Sequence, residues 1–273
     1  MARRVIIAFL LTIVIFFIAR KISKNNSVHV ELEKKGVRVE HSTVFEHVGM
    51  GNPAVKIKAL SSESLSVNLA YVHGDNEEKI LRMRKEDSGI WKADLPSLGK
   101  GEKLKYFFKL NRRGEEILRV PDDESFYTVK YKGEYSKTVV LLHIVFMFLS
   151  FFFIITSFLG SLAILFSGEG ISYTIRMMRA GIICLFIGGW PLGFILNYQR
   201  FGPVWEGFPF GFDITDNKTQ IIFVCWLIAA LLVRGSFFGL GRDRDIIGKN
   251  NYAYAVIICS IITVGLYLIP HSL

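Results

Sequence analysis

Cysteine is scarce, and it is missing where an exported domain would use it. The three thiols, Cys184, Cys225 and Cys259, all lie inside uncharged hydrophobic blocks, and the polar stretch between residues 21 and 137 has none. That excludes a disulfide-stapled domain there. No CxxC or CxxCH occurs, which excludes ordinary c-type haem attachment and thiolate zinc sites. The thiols read as small apolar residues in packed helices. Familiar catalytic signatures are absent too: there is no GxSxG, no HExxH and no convincing Ser/His/Asp order. The run Gly239-Leu240-Gly241-Arg242-Asp243-Arg244-Asp245 lacks the Gly-Lys-Ser/Thr ending of a phosphate loop and reads as a basic turn.

What is present is hydrophobic and unevenly placed. Hydrophobic residues make up 51% of the 273, and the mean hydropathy is +0.36. They cluster in five blocks, residues 5–19, 139–166, 180–196, 221–233 and 253–269, each read as a membrane span. The third and fourth are short and are expected to gain a turn from their polar flanks. Gly188-Gly189-Trp190-Pro191 should bend or loosen the third. The first block follows Arg3-Arg4 and is followed at once by Arg20-Lys21, with no small-residue cleavage site, so it reads as an uncleaved signal anchor. A net charge of +9 would suggest nucleic acid in a soluble protein, but here the basic residues flank hydrophobic blocks, where topology explains them. Arg3 and Arg4, Arg176 and Arg179, and Arg234, Arg242, Arg244 and Lys249 mark the cytoplasmic side. The expected localisation is therefore a cytoplasmic membrane with the N-terminus inside and the polar domain and C-terminus outside. The domains expected are a signal-anchor helix at 1–22, an extracytoplasmic β domain at 23–136 inserted between helices 1 and 2, and a four-helix region at 137–273 with an outer loop at 197–219.

The polar domain alternates with a period of two. Val55, Ile57 and Ala59 form one run, Leu65, Val67, Leu69 and Tyr71 a second, and Leu104, Tyr106, Phe108 and Leu110 a third. Further strands are expected at 28–32, 79–83, 90–94, 117–120 and 126–130. Turn clusters such as Asp87-Ser88-Gly89 and Asn111-Arg112-Arg113-Gly114 separate the runs, so seven or eight short strands predict a sandwich. Its histidines, His29, His41, His47 and His73, are expected at the surface. Three runs carry a resemblance: Val67-Asn68-Leu69-Ala70-Tyr71, Gly89-Ile90-Trp91-Lys92-Ala93-Asp94-Leu95-Pro96, and Lys105-Tyr106-Phe107-Phe108. Across 53–132 they resemble immunoglobulin-like early-set and carbohydrate-binding-type sandwiches. The resemblance implies a β-sandwich that binds sugars or serves as a spacer or docking module.

Two features suggest where chemistry would sit. The outer loop mixes aromatic anchors with polar groups: Trp205, Glu206, Asp213, Asp216, Asn217 and Lys218. A loop this long without clear structure usually has a function, so these residues are candidates for partner or ligand contact. Thr215 or Asp216 is also placed to cap the fourth span, and the acidic residues could offer oxygen ligands to a hard cation, although the carboxylate count of a calcium loop is missing. His143 is an ionisable group well inside a hydrophobic block, which is a functional hypothesis by default. With His271 on the same side it could hold a b-type haem by bis-histidine ligation, or it could touch a quinone. The functions weighed are a membrane subunit or docking protein of a bacterial envelope complex, a redox subunit of an electron-transport complex, and an accessory of transport or of glycan or lipid handling. A self-contained transporter is disfavoured because the five spans show no inverted repeat. The partners expected are the bilayer, other membrane or periplasmic subunits, and a glycan; nucleic acid is not expected, and no catalysis is expected of the chain on its own.

Overall fold

The computed structural model describes residues 2–22, 28–74 and 77–269. It divides into two compact units: Met1–Lys24, Tyr135–Tyr198 and Pro203–Leu273 form one, and Asn25–Glu134 with Gln199–Gly202 form the other. The first contains five helices long and apolar enough to cross a membrane. The second contains two β-sheets.

The β unit has eleven strands among its described residues: β1 His29–Lys34, β2 Val37–Ser42, β3 Glu46–Val48, β4 Ala54–Ser61, β5 Ser66–His73, β6 Lys79–Arg82, β7 Arg84–Lys85, β8 Ile90–Asp94, β9 Lys103–Arg112, β10 Glu115–Val120 and β11 Tyr127–Lys132. One sheet runs β1-β2-β4-β8-β7. The other runs β3-β11-β9-β5-β6, with β10 paired to β9. The alternating residues explain this arrangement. Val55, Ile57 and Ala59 of β4 and Val67 and Leu69 of β5 point into one core with Leu104, Tyr106, Phe108 and Leu110 of β9. Polar residues between them face outward, as the period of two requires. The strand count exceeds the sequence estimate because β2, β3 and β7 are short or were hidden by charged neighbours. β1 and β2 meet in a two-residue hairpin at Lys35-Gly36, with φ values of 50° and 70°. This left-handed pair suits a type I′ turn, which matches strand twist, and glycine is the residue that adopts it without a steric cost.

His41 corrects the expectation that the domain's histidines lie at the surface, since it is only 1% exposed. It alternates with Val37 and Val39 on β2 and therefore points inward. Its Nδ1–H donates to the Lys56 carbonyl at 2.7 Å, and the Tyr106 hydroxyl donates to its Nε2 at 3.0 Å. The Val44 amide donates to the same hydroxyl oxygen at 3.2 Å. Burial disfavours the charged imidazolium and lowers the His41 pKa to about 4. Burial also raises the Tyr106 phenol well above its ordinary value.

The helical unit comprises α1 Ala2–Ile22, α2 Lys137–Ser167, α3 Ile171–Ile187, a π-helical turn Gly188–Leu192, α4 Gly193–Arg200, α5 Ile214–Leu232, α6 Arg234–Phe238 and α7 Lys249–Leu268. α3, the π turn and α4 form one continuous span, Ile171–Arg200. Thus the third and fifth hydrophobic blocks extend into their polar flanks, as does the fourth at its start. The extension of α5 back to Ile214 places Lys218 within a helix, and not in the loop assigned from the sequence. Asp213 caps α5, and its Oδ1 accepts from the Thr215 and Asp216 amides at 2.8 and 3.0 Å. The cap therefore lies two residues before Thr215 and three before Asp216. Small residues allow α2 and α3 to approach closely: a Cβ on Gly160 would lie 2.4 Å from Thr174 Oγ1. Such packing is the usual basis of helix association in lipid. Several buried hydroxyls bond within their own helices, as in Thr156 to Phe152 O at 2.8 Å and Ser260 to Val256 O at 2.8 Å, whereas those of Ser150, Ser161 and Tyr267 have no partner among the described residues.

Candidate functional site

The helical unit contains a cleft of about 470 Å³ lined by α1, α2, α5 and α7. Chain direction explains its position. α2 and α5 contribute residues from their first turns, and α1 and α7 contribute from their last, so the cleft lies at one end of the bundle. Phe16, Ile144, Met147, Ile222 and Leu266 make most of the wall apolar, while Arg20, His143, Thr215, Lys218 and Thr219 form its polar part.

Each polar residue is held by its element. Ser136 caps α2, accepting from the Val139 amide at 3.4 Å, which starts the helix so that His143 falls in its second turn. The imidazole Nδ1–H donates to the Gly188 carbonyl at 2.9 Å. That carbonyl belongs to the π turn, where it also accepts from the Gly193 amide. His143 is therefore a second donor to a backbone oxygen in the loosened Gly188–Leu192 segment. This bond fixes the neutral tautomer and leaves Nε2 as the ring's acceptor. Lys218 is buried, and its Nζ donates to the Ile269 carbonyl at 2.9 Å. Arg20, on the last turn of α1, is exposed, and no carboxylate pairs with it among the described residues. Tyr267 also lines the cleft, and its hydroxyl is buried without a hydrogen-bond partner among the described residues.

The loop between α4 and α5 has a different construction. Trp205 stacks on Trp190 at 6.1 Å and 16°, and meets Phe194 edge-on at 5.8 Å. The Glu206 amide donates to Asp216 Oδ2 at 2.7 Å, and Asn197 Nδ2 donates to both oxygens of the same carboxylate at 3.1 and 3.2 Å. The Phe208 amide donates to Asn217 Oδ1 at 2.7 Å. Asp213, Asp216 and Asn217 therefore hold the loop's own backbone, in which the Glu206 amide and carbonyl both take part. Phe208, Phe210 and Phe212 project from this frame, 62%, 84% and 88% exposed. Gln199–Gly202, also within the segment expected to form one loop, belong to the β unit. There the Gly133 amide donates to the Arg200 carbonyl at 2.9 Å.

The structure thus separates residues that the sequence reading grouped. Trp205, Glu206, Asp213, Asp216 and Asn217 make a self-bonded loop, while Lys218 joins His143 at the cleft. His271, the second proposed haem ligand, lies outside the described residues. No group of three or more His, Cys, Asp or Glu side chains suited to a metal occurs among the described residues. Sequence reasoning missed Arg20 and Tyr267: Arg20 served only to bound the first block and to argue against cleavage, and Tyr267 stood unmarked in the fifth block.

No known family model matches the chain, and no curated protein matches it. Among solved structures, one described as a Br derivative of the carbohydrate-binding module BhCBM56 is similar at 16% identity with a TM-score of 0.24. The match covers 36% of this chain and 95% of that one.

Proposed function

We propose that this chain is an integral membrane protein that binds an amphiphilic molecule in the cleft of its helical unit. In this reading the N-terminus lies in the cytoplasm, the immunoglobulin-like early-set β unit lies outside a cytoplasmic membrane, and the chain acts in lipid or glycolipid handling. The observation that carries the reading is the cleft itself. A volume of about 470 Å³ falls within the range of small-molecule sites. Its mostly apolar wall with polar groups at one side suits a molecule with a tail and a head. The five long apolar helices support the membrane setting. The basic residues near Arg3, Arg176 and Arg242 support the orientation, which would place the cleft at the outer end.

The test is lipid extraction from full-length protein purified in mild detergent, compared with Ile144→Trp and Ile222→Trp. We expect a tightly held amphiphile in the parent protein and its loss in the two cleft-filling variants. Equal content in all three would sink the reading. A Soret band in the optical spectrum of the same sample would replace it with the haem reading built on His143.

A second reading has its own observation. Phe208, Phe210 and Phe212 form an exposed aromatic rim on a rigid loop, which suits a docking subunit of an envelope complex. Co-purification from mild detergent should then recover the same membrane partner repeatedly. Phe210→Ser with Phe212→Ser should release it, and a partner-free parent protein would remove this reading.

A further inference from the structure

We infer that the cleft is built for a lipid with an anionic head, a phosphate or carboxylate, whose charge is received by Arg20 and Lys218. The inference rests on the proposed amphiphile reading and specifies its chemistry.

Three observations lead to it. First, among the described residues the charged side chains that line the cleft are Arg20 and Lys218, and no Asp or Glu lines it. Two cationic side chains on one wall favour an anion over a cation or a neutral head. Among the described residues, Asp213 acts on Lys218, and it is already committed to the α5 cap through the Thr215 and Asp216 amides. Second, α5 enters the cleft with its first turns, carrying Thr215, Lys218 and Thr219. The positive end of that helix dipole adds to the same field. Third, the Tyr267 hydroxyl at the wall is buried and lacks a partner among the described residues. A buried donor of this kind costs stability unless a ligand or water meets it, and a head-group oxygen would accept from it.

The rest of the wall selects for a lipid rather than a free anion. Phe16, Ile144, Met147, Ile222 and Leu266 provide a surface that a chain would cover and that inorganic phosphate would leave wet. Arg20 is the residue suited to grip an oxyanion with two donors, and Lys218 supplies a point charge. The His143 ring, tied to Gly188 through Nδ1, offers an acceptor at Nε2, so it would orient a protonated head-group oxygen rather than neutralise charge.

The experiment uses the full chain, delipidated and returned to nanodiscs of either phosphatidylglycerol with phosphatidylcholine or phosphatidylcholine alone. Lipid retained after release into detergent is counted by native mass spectrometry. We expect phosphatidylglycerol to be retained in preference to phosphatidylcholine. Arg20→Gln should lower that preference by about tenfold, the scale of one charge-assisted contact. Lys218→Gln should act in the same direction, and Arg20→Gln carries the test if the buried Lys218 variant does not fold. Arg242→Gln, a basic residue on the α6–α7 turn, should leave the preference unchanged.

Equal retention of both lipids would overturn the anionic head while leaving the amphiphile reading intact. Retention of no lipid would overturn both. Displacement of phosphatidylglycerol by millimolar inorganic phosphate would show a free-anion site and overturn the lipid assignment. An equal effect of Arg242→Gln would reduce the preference to general surface charge and overturn the site.

Discussion

His41 is a buried base with a consequence for stability. Its pKa is about 4 in the folded protein against 6.5 for the free side chain. Above pH 6.5 both states are neutral and the fold keeps its full stability. Between 6.5 and 4 the unfolded chain takes up a proton that the folded core refuses, so stability falls as pH falls. The window is worth about 3 kcal/mol in total. Amide exchange of β2 and β9 in the full-length protein, corrected for intrinsic rate, should therefore show less protection at pH 5 than at pH 7. His41→Gln should remove most of that difference, and an unchanged difference would assign it to other groups. Asp216 makes a second prediction at this scale. Its carboxylate accepts from Glu206 and from Asn197, so Asp216→Ala strands the Glu206 amide and should cost about 2 kcal/mol. Proteolysis within the loop should rise sharply, and unchanged cleavage would refute its organising role. Neither role was legible from the sequence. The alternation of Val37, Val39 and His41 is readable, but the Tyr106 hydroxyl that receives His41 lies far along the chain. Asp216 sits where a helix cap belongs, and only the folded loop shows that Asp213 takes that task.

At the scale of elements, hydrophobic runs marked all five long helices, because length and lack of charge are enough to identify them. Their ends were harder to place. After Ile214, α5 opens with Thr215, Asp216, Asn217 and Lys218, which hydropathy alone assigns to a loop. The π turn was better announced, since Gly188, Gly189 and Pro191 together weaken regular hydrogen bonding. Strands with clean alternation, such as β4, β5 and β9, were readable. The brief β3 and β7 depend on pairing partners elsewhere in the chain. The α2–α3 contact provides a prediction: Gly160→Val would drive a branched side chain into Thr174 and should cost about 1–3 kcal/mol by overpacking. A lower midpoint of thermal unfolding in detergent would show it. Gly265→Val on α7, where a Cβ meets nothing within 4 Å, is the matched control and should unfold near the parent midpoint.

For the whole molecule, the cleft shows what a linear reading cannot supply. Its lining comes from Phe16 at one end of the sequence and Tyr267 near the other, brought together only by helix packing. The proposed orientation is more accessible to test, because it follows from basic residues near span ends. Single cysteines at Ser66 and at Val204, in a background with Cys184, Cys225 and Cys259 replaced, should react with an impermeant maleimide on intact cells. A cysteine at Asp243 should react only after the cells are opened. Labelling in the reverse pattern would invert the topology, and with it the side from which the cleft is reached.

The close contact at Gly160 also bears on how the protein is made. Only Gly168–Gly170 separate α2 from α3, and Ser157 donates to the Thr174 carbonyl at 3.4 Å across that pair. Adjacent in the chain and joined by this contact, the two spans can settle against each other as a hairpin once both have cleared the ribosome. A stall placed far enough beyond α3 for it to leave the exit tunnel should leave α2 and α3 protected together, so α7 would join a preformed wall when it completes the cleft.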